Sequence, residues 1–392
     1  MKMKRRLLAV QGPLQFIAGF IAFDWYRKSQ GETDCENVLL MYDFLMPEEL
    51  ELEFAAVIRR LSSVLAWDRV VFIGAARMKS IMQGSYAGSI RSLQGELGVT
   101  HFDEIFLARD FCGDGSPLLG NAYPTAYKIE YGDSFGLVAD RAQFSDFDAS
   151  RPVRSTLSAC KRFVRRTLLG GHKRFAFDLA ILSLPLDLSR GELNGVALMV
   201  PPQLHVQEVV RKFSSTLEDL SDYCGSLLAF AGASQCHLFL LSNLSASGLM
   251  SEENEIAMYV KIIHDTAALG DTLFLKVHPR SARRVLDAVV AGIGDGFRIK
   301  IIDDARLARL PVELWSELIT ASNVVAMFST AAINIKYIYD KEVGLPLNDN
   351  TVQRYIHPHK VSYIKEVNGM IEQAVAALNS WDGKSVLWKK RH

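Results

Sequence analysis

Short apolar runs recur along the chain, and most are separated by longer stretches whose apolar residues fall at helical spacing. The first run, Leu7 to Gln11, ends in a Gly12-Pro13 turn and leads into a helix from Pro13 to about Lys28, with proline at the first helical turn where its missing N–H costs nothing. The same alternation continues with a strand at Val38 to Tyr42, a helix near Pro47 to Leu65, a strand at Arg69 to Ile73 and a helix ending near Leu97. Strands at Glu104 to Ala108 and Ala126 to Glu130 extend the series. A basic helix follows at Ser155 to Leu168, then apolar segments at Phe175 to Leu184 and Gly195 to Val200. Strands alternating with helices predict parallel pairing, because each return to the same sheet edge needs a crossover.

Pro201-Pro202 opens a long helical stretch to about Ala231, after which the alternation restarts. Strand His237 to Leu241, loop Ser242 to Gly248, helix Glu252 to Leu269 and strand Thr272 to Leu275 begin a second unit. It continues through Phe297 to Ile302, the segment Arg309 to Thr320, strand Asn323 to Phe328, a helix from Thr330 to Tyr339 and a final helix near Ile364 to Leu378. The division read from this pattern is an N-terminal Rossmann-like domain at 1–200, a helical linker at 201–233 and a C-terminal Rossmann-like domain at 234–392, whose final helices are free to pack back on the first domain. Two such domains, with parallel sheets facing a central cleft, suggest an α/β protein of GT-B architecture.

Composition narrows the classes. The chain has 392 residues, 49% of them hydrophobic, and its 44 basic residues balance 44 acidic ones, so bulk charge does not point to nucleic acid. Cys35, Cys112, Cys160, Cys224 and Cys236 are scattered without a CxxC pair, which fits a reducing compartment and no zinc site. The start, Met1-Lys2-Met3-Lys4-Arg5-Arg6 before Leu7 to Phe23, imitates a signal peptide. Gln11, Pro13 and Gln15 interrupt its apolar run, no clear small-residue cleavage site follows, and a membrane span needs roughly 20 residues, so a cytoplasmic protein is expected.

Candidate chemistry concentrates at strand ends. Lys276-Val277-His278-Pro279-Arg280 closes the strand Thr272 to Leu275 with a cation, an imidazole and a rigid turn. In open α/β sheets that edge is where ligands bind. At a second strand end, Phe328-Ser329-Thr330-Ala331-Ala332 puts two hydroxyls at a helix start, where N–H groups and the helix dipole favour an anion. Together the two ends favour a phosphate site over plain capping. Between them Glu313, in Leu310-Pro311-Val312-Glu313-Leu314, is either a carboxylate for ribose hydroxyls or an exposed helix-start acid. In the first domain, Ile129-Glu130-Tyr131-Gly132-Asp133-Ser134 places Glu130 and Asp133 where a strand runs out into a glycine turn, as candidate general bases. A solvent turn in which Asp133 bonds its own backbone is the alternative. Asp303-Asp304 reads as a polar strand exit, so no metal is expected.

These pieces resemble a known family. Lys276-Val277-His278-Pro279 resembles the His-Pro motif of bacterial sialyltransferases, Ser329-Thr330 their serine/threonine motif, and Glu130 to Asp133 their acidic-Gly motif, in the same chain order. Val10-Gln11-Gly12-Pro13-Leu14-Gln15 is similar to the first strand and turn of bacterial α-2,8-polysialyltransferase-like proteins. The resemblance implies a GT-B fold, a CMP-activated nonulosonic acid donor, and no cofactor beyond that co-substrate. It also implies that Lys276, His278, Pro279, Ser329 and Thr330 hold the donor, with His278 acting on the CMP phosphate and Asp133 or Glu130 deprotonating the acceptor. The sequence departs from the family's two adjacent acids before glycine, since Tyr131 separates Glu130 from Gly132. Asp133 is the first choice of base and Glu130 the second.

The expected activity is inverting transfer of a sialic acid or a related ulosonic acid such as Kdo to a hydroxyl of a bacterial surface glycan or glycolipid. The basic termini and Lys161, Arg162, Arg165 and Arg166 suggest peripheral association with the cytoplasmic face of the inner membrane. A CDP-polyol phosphotransferase of teichoic-acid type, or a silent GT-B protein that binds nucleotide or glycan, are the competing readings.

Overall fold

The computed structural model describes residues 3–31, 35–42, 48–108, 115–132, 176–185, 196–278, 281–304, 306–384 and 386–388. The chain divides into two compact units, Met1–Val206 with Asp382–His392, and Gln207–Trp381. Among the described residues no helix is long and apolar enough to cross a membrane.

The first unit runs β1 (Lys4–Val10), α1 (Pro13–Gln30), β2 (Cys35–Tyr42), α2 (Glu48–Ser62), β3 (Arg69–Ile73), α3 (Ala75–Met82), α4 (Tyr86–Leu97), β4 (Glu104–Ala108), α5 (Gly115–Ala122), β5 (Tyr127–Gly132), β6 (Leu179–Leu182) and β7 (Ala197–Val200). Its sheet has the order β3-β2-β1-β4-β5-β6-β7, all parallel, which through β6 is the doubly wound order with its switch point between β1 and β4. One further strand from the end of the chain, Val386–Trp388, adds antiparallel to β7. Leu7, Leu8, Ala9 and Val10 are fully buried, as expected of a central parallel strand covered on both faces. The buried Arg6 in the same strand is matched by the Glu104 carboxylate, and its guanidinium lies 5.9 Å from the Tyr26 ring centre.

Helix α1 starts at Pro13 and stops where Gly31 takes the left-handed conformation, with φ of 63°. It is buried along most of its length, and at Gly19 it lies close against the sheet. A Cβ there would meet the Tyr131 ring at 2.9 Å.

The second unit starts within helix α6 (Gln203–Ser215) and continues with α7 (Glu218–Ala231), β8 (Cys236–Leu240), α8 (Glu252–Thr266), β9 (Thr272–Lys276), α9 (Arg283–Ile293) and β10 (Arg298–Ile302). A 3-10 turn (Val312–Leu314), α10 (Ser316–Ala321), β11 (Asn323–Ala326), α11 (Ala331–Tyr339), β12 (Val343–Gly344), α12 (Asp349–Tyr355), a second 3-10 turn (Pro358–Lys360) and α13 (Val361–Leu378) complete it. The sheet order is β10-β9-β8-β11-β12, all parallel, with the switch point between β8 and β11. Its core joins Leu273 and Leu275 to Met258, Ile262, Val289, Ile356 and Ile364.

Some expected elements differ in extent. The helical stretch after Pro202 is two helices, broken where the Ser215 and Thr216 hydroxyls bond the carbonyls of Lys212 and Phe213 and compete with the helix ladder. The strand expected at Ala126 to Glu130 runs from Tyr127 to Gly132. The strand expected to reach Phe328 ends at Ala326, because Phe328 has φ of 55°, which no strand residue adopts. The basic helix expected at Ser155 to Leu168 lies outside the described residues.

Candidate functional site

The switch point of the second sheet gathers three strand ends. Leu240 of β8 is in register with Lys276 of β9 and with Ala326 of β11. The ladder continues one residue further on both sides. Leu241 donates its N–H to the Lys276 carbonyl at 2.9 Å, and Met327 donates to the Leu240 carbonyl at 3.1 Å. Two residues past the register point stand Ser242, His278 and Phe328. His278 and Phe328 are separated by the end of β8, two strand spacings or about 10 Å. A ligand lying across the end of β8 is therefore in reach of both flanking strand exits.

The β11 exit is shaped by strain and by a helix start. Phe328 is held in the left-handed region, a costly conformation for an aromatic residue, and its ring packs against the core of the unit. The Ser329 hydroxyl accepts the Ala331 N–H at 3.2 Å and its carbonyl takes the Ala332 N–H at 3.2 Å, so Ser329 leads into α11. Thr330 occupies the N-cap position, is half-buried and makes no capping bond through its side chain. This turn presents the positive end of the helix dipole at the switch point.

The β8 exit is braced from below. The Ser242 hydroxyl donates to the Met327 carbonyl, tying the β8 and β11 exits together. Tyr259 accepts the Ser242 N–H at 3.1 Å, and its hydroxyl is 2.7 Å from the Ser242 carbonyl and 3.1 Å from Glu255 Oε1. Glu255, only 2% exposed, accepts the N–H groups of Leu244 and Ser245 at 3.0 and 3.1 Å and the Ser245 hydroxyl. The loop after β8 is thus wound around a buried carboxylate at the start of α8.

Lys276 does not stand at the edge as an open cation. It is 9% exposed, donates from Nζ to the Ala308 carbonyl at 2.6 Å, and lies 4.9 Å from the Trp315 ring centre. Burial pushes its pKa down to about 8, with the nearby Glu313 charge opposing the shift. Glu313 is not an exposed helix-start acid either. At 3% exposure it sits in the 3-10 turn, accepts Asn334 Nδ2 of α11 at 2.7 Å through Oε1, and takes the Tyr339 hydroxyl at 2.5 Å through its backbone carbonyl. These residues knit the end of β9 to the first turn of α11.

His278 is half-buried, and its carbonyl accepts the Ser281 N–H at 2.9 Å, closing the turn after β9. Pro279, within that turn, lies outside the described residues. The Asp303-Asp304 pair behaves as a strand exit: Asp303 meets Arg283 at 3.2 Å and Asp304 caps the N–H groups of Arg306 and Leu307.

In the first unit Glu130 is a buried strand residue rather than part of a turn. It is 5% exposed, in register with Leu107 and Ala180, and two positions before the strand ends. Tyr131 on the opposite face donates to the Ala9 carbonyl at 2.7 Å, and Gly132 accepts the Ser183 N–H at 3.0 Å. Asp133, the other candidate base, lies outside the described residues. Sequence reasoning missed Ser242, Glu255, Tyr259, Trp315 and Asn334. A local signal for Glu255 was Ser251, whose hydroxyl caps α8 at Asn254 and so fixes where the first turn holding Glu255 begins.

Comparison with known proteins bears on this edge. Residues 191–343 match the model of the alpha-2,8-polysialyltransferase family. The match contains Lys276, His278, Glu313, Ser329 and Thr330, so the resemblance seen in the motifs is borne out over this span, while Glu130 and Asp133 lie outside it. The match supports a glycosyltransferase. No curated protein sequence matches the chain.

Among solved structures, a Listeria monocytogenes protein described as a UDP-N-acetylglucosamine 2-epimerase is similar at 13% identity and a TM-score of 0.52, covering 98% of this chain and 92% of that one. A Neisseria meningitidis UDP-GlcNAc 2-epimerase bound to UDP-GlcNAc is similar at 8% identity and 0.48, covering 96% and 98%. The GT-B domain of a Photobacterium damselae sialyltransferase is similar at 12% identity and 0.43, covering 94% and 97%. The α/β fold with two parallel sheets is that of GT-B proteins, a fold shared by glycosyltransferases and epimerases.

Proposed function

We propose that the chain is an inverting glycosyltransferase that moves a sialic acid or a related ulosonic acid from its CMP-activated donor to a glycan hydroxyl. The observation that carries this reading is the convergence of the His278 and Ser329-Thr330 strand exits at the switch point of the second sheet, within the span that matches the polysialyltransferase family. Phosphate sits at the N-terminus of α11, where the dipole and the Ser329-Thr330 turn favour an anion, and His278 approaches from the other side of β8.

In the reaction the acceptor oxygen forms a bond to the anomeric carbon while the bond from that carbon to the CMP phosphate oxygen breaks. CMP leaves with the bonding electron pair. His278 and the helix N-terminus stabilise the charge that develops on the phosphate, and no metal is required for that stabilisation. Asp133 or Glu130 of the first unit receives the acceptor proton. The acceptor is a surface glycan or glycolipid, met by a peripheral protein at the cytoplasmic face of the membrane.

The test is thermal stabilisation of the full chain by CMP, CDP, UDP, GDP and ADP, in wild type and His278→Ala. A ligand at about a hundredfold its Kd adds roughly 2.7 kcal/mol. Stabilisation by CMP that vanishes in His278→Ala is the expected result. Stabilisation by UDP alone overturns the CMP-donor reading and favours the chemistry of the epimerases.

A further inference from the structure

A second His-Pro pair, His357-Pro358, lies at the same edge of the second unit. The His357 N–H donates to the Leu249 carbonyl at 2.9 Å, and Leu249 belongs to the loop that leaves β8 for α8. Asn254, in the first turn of α8, donates to the Tyr355 carbonyl at 2.9 Å, so the segment leading to His357 is fixed at two points. Ile356, Val361 and Tyr363 pack into the cluster that also receives Val277 and Phe328, the residues beside His278 and Ser329. The segment 356–361 is therefore tied to the loop that leaves β8 and to the first turn of α8, at the carboxyl edge of the sheet where the proposed phosphate site also lies.

The side chains there are arranged unlike three other histidines. His101, His205 and His237 each face an aspartate, Asp103 at 3.1 Å, Asp24 at 3.9 Å and Asp271 at 3.0 Å. His357 and His359 face each other instead. Their rings are 5.7 Å apart between centroids and within 11° of parallel, and among the described residues neither imidazole meets a carboxylate. The 3-10 turn Pro358–Lys360 holds this geometry, closed by the Lys360 N–H on the His357 carbonyl at 2.7 Å, and it places a third basic residue beside the pair. Glu252 at the start of α8 is already neutralised by Arg284, whose Nε is 2.8 Å away.

Two stacked imidazoles with no acid between them suit an anion. A CMP-ulosonate carries two: the phosphate and the carboxylate on its anomeric carbon. With the phosphate at α11, a second basic group on the same edge has the carboxylate as its natural occupant. We propose that His357 and His359 form a second anion subsite that receives the carboxylate of the donor sugar. The inference rests on the CMP-ulosonate reading given above.

The experiment measures binding of CMP, CDP and the 3-fluoro analogue of CMP-N-acetylneuraminate, which resists loss of the sugar, by calorimetry. The proteins are wild type, His278→Ala and the double variant His357→Gln/His359→Gln, each checked for an unchanged melting temperature. The double variant is expected to lose at least tenfold in affinity for the sugar nucleotide and to bind CMP within twofold of wild type. Equal losses for both ligands, or none, overturn the subsite. A loss for CDP with the sugar nucleotide unaffected assigns the pair to a second phosphate and also overturns it. If wild type binds neither CMP nor its sugar nucleotide, the donor reading itself has failed, a result distinct from CMP binding that is kept while the double variant has no effect.

Discussion

Glu313 and Asn334 are joined by a hydrogen bond of 2.7 Å between two buried side chains, one in a 3-10 turn and the other in the first turn of the helix that follows Ser329-Thr330. The bond fixes how that helix start meets the end of β9, because the Glu313 charge also acts on the buried Lys276. Asn334→Leu removes one donor to a buried carboxylate. The variant should lose about 1–3 kcal/mol in urea unfolding. If the bond positions the helix start, CMP affinity falls as well. Unchanged stability would show that the carboxylate is held by its other contacts.

Lys276 gives the fold a specific pH dependence. Its pKa in the folded protein is about 8, below the ordinary 10.5, so between these values the unfolded chain binds more protons than the folded one. Stability contributed at this site is therefore least below about 8 and rises with pH through the window to about 10.5. In Lys276→Met that contribution is absent. The comparison to make is the unfolding free energy of wild type and variant at pH 8 and pH 10, with the difference moving in favour of wild type at the higher pH. Parallel curves would mean that the ammonium is not desolvated as the geometry indicates.

The fold was legible wherever periodicity alone decides it. Runs such as Leu7 to Val10 and Leu273 to Leu275 are buried on both faces, and their alternation with helices implied the two parallel sheets. The strand ends were legible too, since His278 and Ser329-Thr330 do flank the switch point. The environment of the charged side chains was not. Lys276 donates to the Ala308 carbonyl and is packed on Trp315, residues that no local pattern links to it, and one reading of Glu313 was a first-turn acid because its partner Asn334 comes 21 residues later. Phe328 read as a strand residue because aromatic residues favour strands, whereas tertiary packing of its ring holds the backbone at positive φ.

Gly19 lies close against the first sheet, where a side chain would crowd Tyr131 and Leu8. A methyl group would stand 2.9 Å from the ring of Tyr131, which is itself fully buried and bonded to the Ala9 carbonyl. Gly19→Ala should cost about 1–3 kcal/mol despite the better helix propensity of alanine. A denaturation midpoint equal to that of wild type would show that the helix can shift without penalty.

Glu255 separates support of the site from contact with the ligand. It touches no strand exit directly, yet its carboxylate takes two backbone N–H groups and a hydroxyl from the loop that carries Ser242, and Ser242 in turn is bonded to the β11 exit. Glu255→Ala leaves those donors unpaired and should cost about 3 kcal/mol or more, since bonds to a charged acceptor are the strong ones. Glu255→Gln keeps one carbonyl oxygen and should lose less. If the loop positions the anion site, CMP affinity measured well below each variant's melting temperature falls in the order wild type, Gln, Ala. A stability loss without that order would confine Glu255 to holding the loop together and leave the alignment of the strand exits to the Ser242 hydroxyl and the backbone ladder.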